Sequence, residues 1–356
     1  LLAHQGSDIE YKNFYTTAPH AKVLMELLQR DVRFIDDVTG PAARDAIKAL
    51  KNREILLLDN VRFCSEEQTL FEINLKLTHE QQAKTQVVDK LAPLVDLYVC
   101  DAFAAAHRDQ PSLCGFEQVL PSAMGRLFER EYCVVSELME APKHPCAFIL
   151  GGSKIADAFL MMDTVLGNGS ADSVLTGGLV GEILLASQGM EIGKGTLDFI
   201  LQSGYGEYIE KAKSIYSQYA DKIILPADLA QVKDDKREEA VCGEIPSDFT
   251  AVDIGAQTAA QYRAIIMASK TIFANGPVGV FEKPASEAGS KALFEALAQT
   301  DAYTVVGGGD SVTAAAKYGI TDMIDYICTG GGALIRFLTG EELPVVKALR
   351  YAAKVN

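Results

Sequence analysis

Short apolar runs of four or five residues recur along the chain, separated by longer stretches in which apolar positions return every three or four residues. The first spacing predicts buried strands and the second amphipathic helices; their alternation predicts parallel sheets in an α/β fold. Residues 17–29 read as a helix with Thr17 as its cap and Pro19 in its first turn. Strands are expected at 32–35, 55–58 and 97–100, with a helix at 41–50 between the first two. Residues 65–92 are acidic and glutamine-rich, with a weak apolar pattern, and read as an exposed helical excursion. Residues 123–139 read as a helix ending before Pro142 and Pro145. The acidic stretch 232–244 reads as a surface loop, and 343–354 as a final helix. The expected organisation is a first domain over 1–122, an interdomain helix over 123–141, a second domain over 142–341, and a C-terminal helix over 342–356 returning to the first domain.

In the second half, five apolar runs end in glycine: at Gly151-Gly152, Gly177-Gly178, Gly276 within Asn275-Gly276-Pro277, Gly307-Gly308-Gly309, and Gly330-Gly331-Gly332. Loops at the carboxyl ends of parallel strands are where open α/β sheets bind ligands. Glycine lets backbone approach an anion, and the free N–H groups of a helix start attract phosphate. This half therefore reads as a nucleotide site. Asp310, followed by Ser311, is compatible with a Mg²⁺ ligand beside the phosphates and with an ordinary helix N-cap. Lys154 reads either as a point charge on a phosphoryl group in transfer or as a surface lysine. In the first half His4, Arg62, His107 and Arg108 each follow a predicted strand. In a parallel sheet they would converge into a cationic patch suited to phosphate and carboxylate. There is no G-x-x-x-x-G-K-[ST] loop and no G-x-G-x-x-G opening a first βαβ unit, which disfavours the two commonest nucleotide motifs.

The 356 residues carry a net charge of −15 without a Lys/Arg run, so nucleic acid and membrane surfaces are not expected partners. Seven scattered cysteines lack C-x-x-C spacing, which argues against a disulfide framework or a zinc site and for a reducing cytoplasm. The chain opens on Leu1-Leu2-Ala3-His4 without Met, and a segment is expected upstream of it.

Taken in order, Asp59-Asn60-Val61-Arg62-Phe63, Asp101-Ala102-Phe103, His107-Arg108, Gly151-Gly152-Ser153-Lys154, Asn275-Gly276-Pro277-Val278-Gly279-Val280-Phe281-Glu282, Gly307-Gly308-Gly309-Asp310-Ser311 and Thr329-Gly330-Gly331-Gly332 resemble the phosphoglycerate kinase family. The His4-Gln5-Gly6 start and Tyr318-Gly319-Ile320-Thr321 resemble its archaeal branch. The resemblance implies two doubly wound, Rossmann-like parallel-sheet domains joined by a connector helix, with a cleft closed by hinge bending. It implies phosphoryl transfer between 1,3-bisphosphoglycerate and MgADP, giving 3-phosphoglycerate and MgATP, by a monomer or homodimer. The substrate side falls to His4, Gln5, Gly6, Ser7, Arg62, His107 and Arg108. The nucleotide side falls to Gly151, Gly152, Lys154, Gly177, Gly178, Asn275, Gly276, Pro277, Glu282, Gly307, Gly308, Gly309, Asp310 and Ser311, with Asp310 on Mg²⁺. Lys154, Gly309 and Gly332 would act on the moving phosphoryl group. The chain departs from the family pattern at Ser7, where an arginine is usual, and at Ala158, where many members have a lysine. The family's first strand, with its substrate and catalytic arginines, would lie upstream of Leu1. Residues 1–356 alone are therefore expected to bind MgATP without turnover. The alternative is a nucleotide-binding homologue with a regulatory or assembly role.

Overall fold

The computed structural model describes residues 1–355. The chain divides into two compact units: Leu1–Arg130 together with the chain from Glu342 onward, and Glu131–Glu341. The boundary falls inside the helix Arg126–Glu140.

The first unit holds two pairs of parallel strands, β1 (Arg33–Ile35) with β2 (Leu56–Leu58) and β3 (Tyr98–Cys100) with β4 (Ser122–Met124). Alternation along β2 builds both faces of its layer. Leu56 and Leu58 join Ala43, Ala46, Val87, Val88, Leu91, Phe116 and Leu120 in one core, and Leu57 joins Ala21 and Val32 in another. The C-terminal helix Pro344–Val355 buries Val345, Val346, Ala348, Leu349 and Ala352. It packs on Pro111–Cys114, Phe116–Gln118 and β4, all within this unit.

The second unit is built on β5 (Cys146–Leu150), β6 (Ser173–Thr176), β7 (Ile223–Ile224), β8 (Asp228–Lys233), β9 (Lys236–Val241), β10 (Asp253–Ile254), β11 (Thr271–Asn275), β12 (Tyr303–Gly307) and β13 (Tyr326–Cys328). Six of these form one parallel sheet in the order β13-β12-β11-β5-β6-β7. Helices cover both faces, so β5 is buried at every position and its sequence is an unbroken apolar run. The strand order grows to one side of β5 through β6 and β7, then reverses through β11 to the other side. The topological switch point therefore lies between β5 and β11, where a doubly wound sheet opens a crevice at its carboxyl edge.

Four expectations need correction. Residues 122–124 are strand and the following helix begins at Arg126, because Ser122, Ala123 and Met124 pair with β3. The acidic stretch 232–244 lies largely in the β8–β9 hairpin, closed by Asp234 and Asp235, both at positive φ as a two-residue turn requires. With β10 it forms a three-stranded antiparallel sheet. The 65–92 stretch is helical but not merely exposed, since Val87, Val88, Leu91, Glu67 and Gln82 are buried. Thr17 sits at the predicted cap position, yet its hydroxyl donates to Leu58 O at 2.9 Å instead of capping the helix Ala18–Leu28. No helix among the described residues is long and apolar enough to cross a membrane.

Candidate active site

All five glycine turns of the second unit lie at the carboxyl ends of its parallel strands, but they divide into two kinds. At the switch point and beside it, glycine serves close packing. Gly151 N–H donates to Asn275 O at 3.0 Å, Gly152 N–H to Pro277 O at 2.7 Å, Gly177 N–H to Leu150 O at 3.2 Å and Gly178 N–H to Val278 O at 2.7 Å. A Cβ on Gly151 would stand 2.2 Å from Pro277 O, and one on Gly276 2.3 Å from Gly151 O. These loops are laced together by the very N–H groups expected to face phosphate. What they leave for a ligand is side-chain-free backbone rather than a row of donors.

The other two turns leave donors open. The helix Gly309–Lys317 is preceded by Gly308 at φ +86°, a conformation that disfavours side-chain-bearing residues. Helical geometry gives the first-turn N–H groups of Gly309, Asp310 and Ser311 no intrahelical acceptor. A Cβ on Gly309 would meet nothing within 4 Å, so this start faces open space. The helix Gly331–Leu338 has an ordinary N-cap, Gly330 at φ −64°, but its first residue Gly331 stands at φ +47° with open space around its missing Cβ. Gly332, its second residue, is exposed.

Asp310 is exposed in the first turn as the residue after Gly309, so it is not the N-cap; Gly308 is, without a side-chain bond. Its carboxylate, a hard oxygen donor beside free N–H groups, fits a Mg²⁺ ion escorting phosphates. Ser311 is fully buried, and its Oγ accepts from Gly276 N–H at 2.6 Å, so it ties the β11 turn to this helix. Asn275 ends β11 beside Gly308: a Cβ there would lie 2.4 Å from Asn275 Oδ1. Gly307 is buried at the end of β12, where a Cβ would strike Leu334 at 2.3 Å. Lys154 is exposed at the N-cap of Ile155–Gly167, directly after Gly151-Gly152-Ser153. Glu282 is exposed beyond β11.

In the first unit the polar residues form a connected network at the ends of β2 and β3. Asn60, fully buried after β2, accepts from Gln5 N–H at 3.0 Å and Arg62 N–H at 3.1 Å. Its amide donates to Gln5 O at 2.9 Å and Tyr15 O at 3.1 Å, which fixes the loop over 4–15. Gly6 sits at φ +74°, and a Cβ there would lie 2.2 Å from Asn13 O. Ser7 turns inward on its own loop, its Oγ accepting from Glu10 N–H at 3.2 Å.

Arg62 is only 5% exposed; its Nη1 donates to Gly6 O at 2.6 Å and Asp8 Oδ1 at 2.9 Å. Its Nε is buried with no partner among the described residues. Burial, and then the neighbouring charge of Arg108, push the Arg62 pKa down. Arg108 reaches Thr69 Oγ1 at 3.5 Å, and Thr69 in turn donates from its hydroxyl to Asp8 Oδ1 at 2.8 Å. The two arginines thus meet at one place, about Asp8 and Thr69. His4 Nε2 lies 3.1 Å from Glu67 Oε2 and 3.3 Å from Ser112 Oγ. Glu67, fully buried, also accepts from Ser112 N–H at 2.6 Å and Ser112 Oγ at 2.7 Å. His107 is half-buried beside Arg108. Gln5 Oε1 stands 2.6 Å from His20 Nε2. Asp8, Glu67, Thr69 and Ser112 are not legible as site residues in the sequence, because each lies in a stretch patterned like loop or solvated helix.

A family model described as phosphoglycerate kinase matches residues 1–341. The phosphoglycerate kinase of Methanothermobacter thermautotrophicus is 44% identical over 349 residues, covering 98% of this chain and 83% of that protein. That of Thermococcus kodakarensis is 40% identical over 355 residues, covering 98% and 84%. The crystal structure of phosphoglycerate kinase from Pyrococcus horikoshii superposes with a TM-score of 0.88 at 38% identity, covering 99% of this chain and 86% of that one. Agreement of sequence and fold over nearly the whole chain means that it belongs to the phosphoglycerate kinase family.

Proposed function

We infer that this protein transfers a phosphoryl group reversibly between 1,3-bisphosphoglycerate and MgADP, giving 3-phosphoglycerate and MgATP. The observation that carries the reading is the pair of open helix starts, at Gly309–Ser311 and at Gly331-Gly332, on the same sheet edge as Lys154. Phosphoryl transfer asks little covalent chemistry of a protein and much fixed positive potential around the phosphate oxygens. Backbone N–H groups of Gly309, Asp310 and Gly332 supply oriented dipoles, and Lys154 supplies a mobile full charge. The tightly laced turns at Gly151, Gly152, Gly177, Gly178, Gly276 and Pro277 give the nucleotide a side-chain-free surface, with Glu282 and Asn275 at its rim. Mg²⁺, held by Asp310, would offset phosphate charge.

The first unit is assigned to the phosphoglycerate. Arg62 and Arg108, with His4 and His107, supply positive charge, while Gln5, Gly6 and Ser7 shape the loop that faces them. Arg62 already shares Asp8, so its contribution to the ligand is partial and Arg108 carries more of the binding. We assign the protein to the cytoplasm, which suits seven cysteines of which none is paired among the described residues. Nucleic acid and membranes are not assigned as partners, and a monomer or homodimer is the expected state. A non-catalytic role is not favoured, given relatives at 40–44% identity that are named phosphoglycerate kinases.

Calorimetry on Asp310→Ala tests the nucleotide side. MgADP affinity should fall on the order of tenfold while metal-free ADP changes little, the loss of one charged ligand being worth about 1–2 kcal/mol. Equal losses for both would remove Asp310 from the metal.

A further inference from the structure

Beside Arg108, the first unit brings a histidine, a carboxylate and a thiol together. His79 opens the short helix His79–Gln82, Asp109 directly follows Arg108, and Cys114 ends the helix Pro111–Cys114. One ligand atom from each lies within 4.8 Å of the other two. His79 Nε2 and Asp109 Oδ1 are 3.3 Å apart. Tetrahedral zinc, with Zn–N and Zn–O near 2.0–2.1 Å, sets its N and O ligands about 3.3 Å apart and a thiolate sulfur about 3.5 Å from each. The nitrogen–oxygen edge is therefore already at the length a metal would impose, and the sulfur needs to close by at most about 1.3 Å.

The surroundings suit a cation. Gln82 is 1% exposed and donates from Nε2 to Asp109 Oδ1 at 2.5 Å, Asp109 O at 3.3 Å and Leu77 O at 3.2 Å. Those three acceptors fix the orientation of its amide. Its Oε1 is left buried with no partner among the described residues, and Gln82 and Asp109 line one small cavity with Glu66 and Glu72. A buried, unpartnered carbonyl oxygen beside a carboxylate costs free energy unless a cation or a metal-bound water meets it. The Asp109 side chain is 43% exposed and that of His79 17%, which gives an entry path and room for a solvent ligand.

We propose that His79, Asp109 and Cys114 form a binding site for a divalent transition metal of the zinc class, with Gln82 orienting Asp109. Binding replaces the Cys114 S–H, which now points to Arg108 O at 3.7 Å, by a metal–thiolate bond and the His79 Nε2–H by a metal–nitrogen bond; the thiol proton leaves to solvent, and the imidazole stays neutral, its one proton exchanged through solvent from Nε2 to Nδ1. The thiolate sets this site apart from that of Mg²⁺, a hard cation that prefers oxygen. Because Asp109 is the neighbour of Arg108 and Cys114 lies five residues further on, the metal would clamp the segment that carries Arg108. The site does not depend on the reaction assigned to the protein.

Cobalt(II) is the probe, since thiolate ligation gives a charge-transfer absorption in the near ultraviolet. The full chain should bind one Co²⁺ with that band, and Zn²⁺ should displace it. His79→Gln and Cys114→Ser should each abolish the band, and Gln82→Leu should weaken Co²⁺ binding about tenfold. Cys133→Ser, which removes an exposed thiol, should leave it intact. His79 is half-buried where Cys114 is fully buried, so His79→Gln decides the matter even if Cys114→Ser fails to fold. Absence of the band, its persistence in His79→Gln, or its loss in Cys133→Ser would each overturn the proposal.

Discussion

At the scale of single residues, Arg62 shows how a site charge can be divided. Its guanidinium holds Gly6 and Asp8 and is nearly buried, so removing it both takes charge from the phosphoglycerate side and leaves Asp8 facing Thr69 alone. Arg62→Ala should weaken 3-phosphoglycerate binding by about 2 kcal/mol, or roughly thirtyfold, with nucleotide binding unchanged. Titration calorimetry on the protein checks this, and equal affinity in wild type and variant would take Arg62 out of the site. The glycines offer a sharper contrast. Gly151→Ala forces a methyl to 2.2 Å from Pro277 O, whereas Gly309→Ala meets nothing within 4 Å. Gly151→Ala should cost the second unit about 1–3 kcal/mol in chemical denaturation. Gly309→Ala should leave stability within roughly 0.5 kcal/mol but reduce turnover, because its methyl occupies space assigned to phosphate. If both variants lose stability alike, the division of the glycines into packing and binding kinds is wrong.

At the scale of elements, the same logic separates what is legible in the chain from what is not. The glycine ends of β5, β6, β11, β12 and β13 are legible because a continuous apolar run that stops at glycine marks a buried strand passing into a tight turn. The hairpin of β8 and β9 is not, because β9 reads Lys-Arg-Glu-Glu-Ala-Val with no buried position, and Asp234-Asp235 is not the Asn-Gly signal that marks such turns. Likewise Gly151 and Gly178 are legible as ligand-side glycines, but the commitment of their own N–H groups to Asn275 O and Val278 O is not. That information lives in loops brought together only by the sheet. The turn Phe116–Gln118 beneath the C-terminal helix holds another feature invisible in sequence. Glu117 is 1% exposed, neither of its carboxyl oxygens has a partner among the described residues, and burial pushes its pKa up to about 8. The folded chain therefore keeps a proton there between pH 4.5 and about 8, where the unfolded chain has released it, so this group's contribution to stability falls as pH rises through that window. Glu117→Gln should flatten that slope and raise stability at pH 8 by roughly 1–3 kcal/mol. Denaturation curves for both proteins at pH 5 and pH 8 measure it; parallel slopes would mean that the carboxyl finds a partner or solvent.

At the scale of the whole molecule, two α/β units carry complementary chemistry, a pair of arginines in one and open helix starts with a lysine in the other. Such a division suits a reaction whose two substrates both carry phosphate in a chain with a net charge of −15, since local clusters must overcome the overall field. The central claim is that Lys154 and the open helix starts stabilise the phosphoryl group during transfer. It is tested most directly by a coupled assay of phosphoryl transfer from MgATP to 3-phosphoglycerate, comparing the wild-type protein with its Lys154→Ala variant while calorimetry follows nucleotide affinity. The account predicts turnover lowered by about a thousandfold with nucleotide affinity changed by less than about tenfold, the pattern of a charge that acts mainly in the transition state. Turnover within a few-fold of wild type would contradict it.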